Sequence, residues 1–103
     1  MIEWTDELIA QIDSSSRAAF SYLGKSGYPV TLPLPFTFDR GEHRFTLSKP
    51  GHPPAISSEA VGQTSLTLLR YDPQVDNERY LLFYGQVEER GARWSFTPSR
   101  AVL

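Results

Sequence analysis

Two histidines, His43 and His52, and no cysteine stand in this chain of 103 residues, which narrows the chemistry its own side chains can do. Without thiols there are no disulfides, thiolate metal sites or cysteine nucleophiles. A metal site would have to join the histidines to carboxylates on distant loops. Asp72, Asp76 and Glu78 lack the spacing and the glycine of a calcium-binding loop, so no metal is expected. Gly24-Lys25-Ser26 mimics the end of a phosphate-binding loop. The glycine expected five positions before Gly24 is Ala19, however, and a strand pattern follows instead of a helix. No serine sits in a nucleophile elbow, and Ser57, Ser58 and Glu59 read as decoration of a helical turn. With no self-contained catalytic constellation, any enzyme chemistry here would be carried by a bound cofactor that the chain orients.

Composition sets the frame in which such a cofactor could sit. The length fits one domain, and 40% hydrophobic with 13% aromatic residues is enough for a core. A formal net charge of −2 argues against a nucleic-acid partner, because phosphate backbones call for clustered lysine and arginine. Lys49 and Arg70 are isolated, and Arg90 with Arg93 reads as a solvated hairpin tip. The longest clear apolar run, Leu81 to Tyr84, is far too short to span a membrane. The first residues carry Glu3, Asp6 and Glu7 in place of a basic region and apolar stretch, so no signal peptide is read and a cytoplasmic location is expected.

The elements that must position any site are mostly strands. Trp4, Leu8, Ile9 and Ile12 mark one face of a short helix over about residues 5–13, with Thr5 as N-cap, Asp6 and Glu7 in the first turn, and Trp4 with Ile9 as a hydrophobic staple. Strands are predicted at Ala18 to Leu23, Val30 to Phe38, Arg44 to Ser48, Thr64 to Tyr71, Arg79 to Glu88 and Arg93 to Thr97. Turns fall at Gly24 to Gly27, Asp39 to Gly41 and Glu89 to Ala92, and a loop runs from Asp72 through Glu78. Lys49 to Pro54 cannot be regular, and Pro54 with Ala55 to Val61 could form a connecting helix. The second strand is the most informative. Val30, Leu32, Leu34, Phe36 and Phe38 share one face, while Pro33 and Pro35, two apart, remove donors along one edge. A barrel splits, an edge ends or a ligand approaches at such a place. On Arg79 to Glu88, Leu81, Phe83 and Val87 lie on one face and Tyr80, Leu82 and Tyr84 on the other. Both faces must then be covered, the second by a partner subunit or by the N-terminal helix. The expected fold is mainly β: one domain over 1–103, a six-stranded antiparallel split β-barrel (about 17–98) with a short N-terminal helix and one connecting helix.

Order and local pattern together resemble the pyridoxamine 5'-phosphate oxidase-like, flavin-binding split barrels over roughly residues 17–103. The resemblance begins at Ala18-Ala19-Phe20-Ser21-Tyr22-Leu23 and continues through Gly27-Tyr28-Pro29-Val30, which is similar to the family's "DGxP" lead-in to its second strand. Pro33-Leu34-Pro35-Phe36 resembles its proline-bearing strand. Phe45-Thr46-Leu47-Ser48 stands where its third strand leads into the phosphate-binding region. Ser65-Leu66-Thr67-Leu68 resembles the strand after the connecting helix, and Leu82-Phe83-Tyr84-Gly85-Gln86-Val87-Glu88 the "xxxGxxE" strand. Trp94 to Arg100 resembles its hairpin partner with the proline and arginine that follow.

The resemblance implies a homodimer with two FMN molecules at its interface, in a family whose members also use deazaflavin, bind haem or bind nothing known. It makes the chain an expected FMN- or deazaflavin-binding oxidoreductase, with Thr31, Pro33, Thr46, Ser48, Lys49 and His52 lining the cofactor and Lys49 and His52 toward its phosphate. The sequence departs from the family in two respects. The basic pair, often Arg-Lys, that follows the third strand is replaced by Gly51-His52-Pro53-Pro54, and many relatives continue beyond the position of Leu103. The missing pair leaves a second expectation open: a non-catalytic dimeric split barrel that binds another small ligand or serves as an interaction module. A third, an OB-like nucleic-acid binder, is disfavoured by the acidic balance.

Overall fold

The computed structural model of the chain describes residues 2–72 and 77–102, and of residues 71, 72 and 77–79 the backbone alone. Thr5 caps the one helix among them, α1 (Asp6–Ser14), its hydroxyl accepting the Leu8 N–H at 3.1 Å. Leu8 and Ile12, four apart and so on one face, are its buried residues. The Ser14 and Ser15 hydroxyls both donate to the Gln11 carbonyl at 2.9 Å, and Ser15 is extended, which ends the helix. Trp4 is spent on aromatic contacts instead of a staple: its ring stacks on His43, Phe38 and Phe83 at 4.4, 5.6 and 6.2 Å, while Ile9 is half-buried. The helix is not long and apolar enough to cross a membrane.

Seven strands follow among the described residues: β1 (Arg17–Leu23), β2 (Pro29–Leu34), β3 (Phe36–Asp39), β4 (Arg44–Ser48), β5 (Thr64–Asp72), β6 (Asn77–Arg90) and β7 (Arg93–Val102). They form one antiparallel sheet in the order β2-β1-β5-β6-β7-β4-β3. The expected count of six strands is corrected at Pro35. The run from Val30 to Phe38 breaks there, Leu34 pairing with Ala18 on β1 and Phe36 with Leu47 on β4. Pro35 has no N–H to offer a ladder and restricts the residue before it, so the chain changes partner at that point. Pro33 stays inside β2, opposite Ala19, because an edge strand has a side where a missing donor is harmless. β2 and β3 are thus the two edges of the sheet, yet one residue separates them in the chain. The sheet must curl until its edges come together at Pro35, giving a half-barrel whose seam is that proline.

The expected connecting helix is also corrected. Lys25 donates to the Ala55 carbonyl at 2.8 Å and Ser57 to Leu23 at 2.9 Å, and Gly24 bridges Ile56, so residues 55–57 are drawn out along the end of β1. Only two successive turns remain, closed by Ala60 to Ser57 (3.0 Å) and Gln63 to Ala60 (2.9 Å). That is too short a stretch, with Gly62 within it, to nucleate a helix. The expected loop from Asp72 through Glu78 shortens, since β5 reaches Asp72 and β6 begins at Asn77; its residues 73–76 lie outside the described residues.

The inner face is aromatic. Phe20, Phe45, Phe83 and Phe96 are fully buried, and Trp94 is nearly so. Phe45 meets Phe38 at 4.8 Å and Phe83 at 5.3 Å, and Phe20 meets Trp94 at 5.3 Å. Leu8 and Ile12 of α1 join this cluster, with Leu81, Phe83 and Val87 of β6. The helix therefore packs on the core side of β6. On the outer side Tyr80 and Tyr84 remain 62% and 37% exposed, which removes the helix as the cover for that face. β6 and β7 shift register at Tyr84/Gly85, where Gly85 pairs with Pro98 and Tyr84 with Arg100, leaving Ser99 as the extra residue of a bulge.

Candidate functional site

Because Phe45 and Leu47 point into the core, Arg44, Thr46 and Ser48 point outward from β4. The registers on either side decide their company. Thr46 pairs with Thr37 of β3 and Ser95 of β7, so three hydroxyl residues form one rung across the outer face. Ser48 pairs with Arg93 of β7, which pairs in turn with Arg90 of β6. Arg44 lies opposite Asp39.

Two clefts share Thr46 and Arg93. The smaller, about 140 Å³, opens beside Pro35, Phe36 and Thr37 and reaches Ser48. The larger, about 260 Å³, extends past Arg44, Arg90 and Ser95 to Asp39 and Glu42. The charges are unevenly engaged. Arg44 pairs with Glu42, and Arg90 lies 3.4 Å from Glu88. Arg93 is exposed and makes no ion pair among the described residues. At the acidic end, Asp39 Oδ1 accepts the N–H groups of Gly41 and Glu42 at 2.9 and 3.1 Å, which shapes the β3–β4 turn. His43 follows with φ 54°, its ring stacked on Trp4, so this histidine is spent on packing.

Of the six residues expected to line a cofactor, the fold brings Thr46 and Ser48 together on one cleft. Lys49 falls on the inward parity of β4. Its ammonium lies 3.1 Å from Glu89 and 5.7 Å from the centre of the Trp94 ring, so it closes an end of the half-barrel. His52 is exposed in the bend after β4, with no hydrogen bond or ion pair among the described residues. Thr31 and Pro33 are exposed on β2, where the Thr31 hydroxyl shares a 3.1 Å hydrogen bond with Ser21. Thr37, Arg93 and Ser95 were not legible as site residues. They reach Thr46 and Ser48 only through strand register, and a register between β4 and β7, separated by some forty-five residues of chain, leaves no local signal.

Tyr22 donates to the Pro54 carbonyl at 2.6 Å, which ties the segment after β4 to β1. Burial pushes the Tyr22 phenol up from its ordinary value, and the Glu89 carboxylate adds to the shift. Trp94 Nε1 is buried with no hydrogen-bond partner among the described residues. No group of three or more metal-ligating side chains occurs among the described residues. The chain matches no protein-family model and no curated protein sequence.

Proposed function

We propose that the chain is a flavin-binding split barrel of the pyridoxamine 5'-phosphate oxidase-like type, holding FMN or a deazaflavin on the outer face of β4 and acting as an oxidoreductase on a small molecule. The carrying observation is the place where Thr46 and Ser48 open on a cleft: beside Pro35, the seam between the sheet's two edges. Taken as one proline-broken run, β2 and β3 turn the seven strands into six that follow one another round a ring, the arrangement a split barrel requires.

The residues present fit a flavin phosphate. Hydroxyls of Thr46 and Ser48 can hydrogen-bond phosphate oxygens, and the Arg93 guanidinium, with no ion pair among the described residues, stands on the same cleft. Neither histidine lines these clefts, so haem, which needs an axial ligand, fits less well. A bound flavin would supply hydride or electron transfer, while the chain's part is to hold the phosphate, orient the ring system and exclude water. Thr31 and Pro33, on the other edge strand, belong to the cofactor wall on this reading if the ring system lies across the seam. The test is the near-ultraviolet and visible spectrum of the purified protein before and after FMN is added, with the oligomeric mass measured on the same sample. A perturbed flavin spectrum on a dimer supports the proposal; spectra of FMN and of a deazaflavin, each added in turn, that both stay identical with those of the free cofactors refute it.

A second reading, the non-catalytic dimeric module, is favoured by the outer face of β6. Tyr80 and Tyr84 are exposed there beside half-buried Leu82, and Val102, opposite Leu82, is 44% exposed. That surface suits association more than solvent. A dimer that leaves FMN and the deazaflavin unperturbed would select this reading.

A further inference from the structure

We infer that Arg93 of β7, together with Ser48 and Thr46 of β4, forms a subsite for a phosphate monoester, and that Arg93, not Lys49 or His52, supplies its charge. The inference rests on the flavin reading in so far as FMN is the expected bearer of that phosphate.

The first argument is placement. Ser48 and Arg93 are direct cross-strand partners, and Arg93 lines both clefts with Thr46. Opposed residues in an antiparallel pair have Cβ atoms about 4.5–5.5 Å apart, a separation that one phosphate can span with hydrogen bonds from both side chains. The second argument is charge. Arg90 and Arg93 are themselves directly opposed, and like charges in that position destabilise a sheet. Arg90 has Glu88 only at 3.4 Å, long for a charge-assisted bond, and Arg93 has no ion-pair partner among the described residues. An anion on the Ser48–Arg93–Arg90 rung relieves that repulsion. The acids of the larger cleft, Asp39 and Glu42, lie at its other end, occupied with the turn N–H groups and with Arg44.

The third argument removes the alternatives. Lys49 has the inward parity of Phe45 and Leu47, is paired with Glu89 and lies over Trp94. His52 is exposed and lines neither cleft. The basic pair missing after β4 is thus replaced from the opposite strand, β7.

The test compares FMN, riboflavin and inorganic phosphate binding to the wild-type protein, Arg93→Gln and Lys49→Gln. Arg93 is exposed and directly opposed to Arg90, so its variant stays folded with a thermal midpoint equal to or slightly above that of the wild type. FMN is expected to bind at least tenfold more tightly than riboflavin. R93Q erases that preference by weakening FMN alone, and K49Q leaves it intact. Equal affinities for FMN and riboflavin in the wild type, or an R93Q variant that keeps the preference, overturn the inference. If no flavin binds, the flavin reading fails, and backbone amide shifts on titration with inorganic phosphate decide the subsite. Shifts at Thr46, Ser48 and Arg93 that vanish in R93Q uphold it, and their absence from the wild type overturns it.

Discussion

Replacing Gly85 by alanine should destabilise the fold more than any other single methyl addition at the glycines of this chain. A Cβ placed there would lie 2.8 Å from Pro98 Cα and 2.9 Å from the Thr97 carbonyl carbon, and closer still to the Thr97 oxygen. These are backbone atoms of the neighbouring strand, so no side chain can rotate away. Carbon atoms in contact normally stand about 3.5–4.0 Å apart, so β6 and β7 must part by roughly 1 Å. Overpacking of that kind costs about 1–3 kcal/mol. Movement of Gly85 also strains the bond from the buried Thr64 hydroxyl to the Gly85 carbonyl, 2.9 Å long, adding about 1 kcal/mol. The gain from a stiffer unfolded chain offsets only about 0.4–1 kcal/mol. A net loss of about 2 kcal/mol is a large share of the 5–15 kcal/mol typical of a domain and lowers the thermal midpoint by roughly 8–16 °C. Denaturant unfolding followed by the fluorescence of buried Trp94 measures it, with Gly62→Ala as control. Gly62 has nothing nearer than the Gln86 side chain at 3.9 Å, and the substitution there should stay within about 0.5 kcal/mol. If G85A unfolds with the wild type, the close approach of β6 and β7 at Pro98 is wrong.

Three further substitutions probe the scaffold of the site. Thr5→Ala removes the helix cap and should cost about 1 kcal/mol, read as a lower denaturant midpoint at unchanged slope. Thr64→Val keeps the shape but strands the Gly85 carbonyl, costing about 1–3 kcal/mol; a neutral result would mean that the carbonyl finds another donor. Tyr22→Phe loses the bond to Pro54 and should cost about 1 kcal/mol near neutral pH. Its pH dependence has a fixed sign. The folded phenol is raised above its ordinary value of 10.0, so the folded state holds the proton more tightly; that stabilisation is complete below pH 10 and fades as pH rises through the folded value. Thermal midpoints measured from neutral to strongly alkaline pH should therefore converge for Y22F and wild type at the alkaline end, and a constant difference between them contradicts the assignment.

What could be read from the residues was what local pattern controls. Thr5, Leu8 and Ile12 announce the helix, and the alternation Phe45/Leu47 or Leu81/Phe83 fixes which side of a strand is buried. The break at Pro35 was visible as two prolines in a strand, but not that it makes one strand into two. That depends on β3 finding β4 where β2 found β1, a tertiary choice. The expected connecting helix failed for a similar reason: the backbone of residues 55–57 is claimed by Leu23, Gly24 and Lys25, thirty residues earlier. Within the site, Thr46 and Ser48 were expected from the resemblance to the flavin-binding split barrels, and parity with buried Phe45 and Leu47 adds only that they share the outward face. Arg93 looked like a solvated tip residue because its neighbours in sequence are a turn; its neighbour in space is Ser48.

The position of the cleft follows from how the sheet closes, not from any loop. A seven-stranded sheet whose edge strands are joined by one residue cannot pair those edges completely. Ser48 N–H donates to the Pro35 carbonyl at 3.2 Å, so β4 is held to the seam by that bond. Pro35 also walls a second cleft, about 320 Å³, between the end of α1 and β3. The proline thus separates two openings, one lined by Ile12, Asp13 and the end of the helix, the other by Thr46, Ser48 and Arg93. The first has its carboxylate, Asp13, engaged by Arg40, whereas the second presents a guanidinium with no ion pair among the described residues. Of two openings made by the same interruption, the one on β4 is therefore suited to an anion, and the strand order places it there.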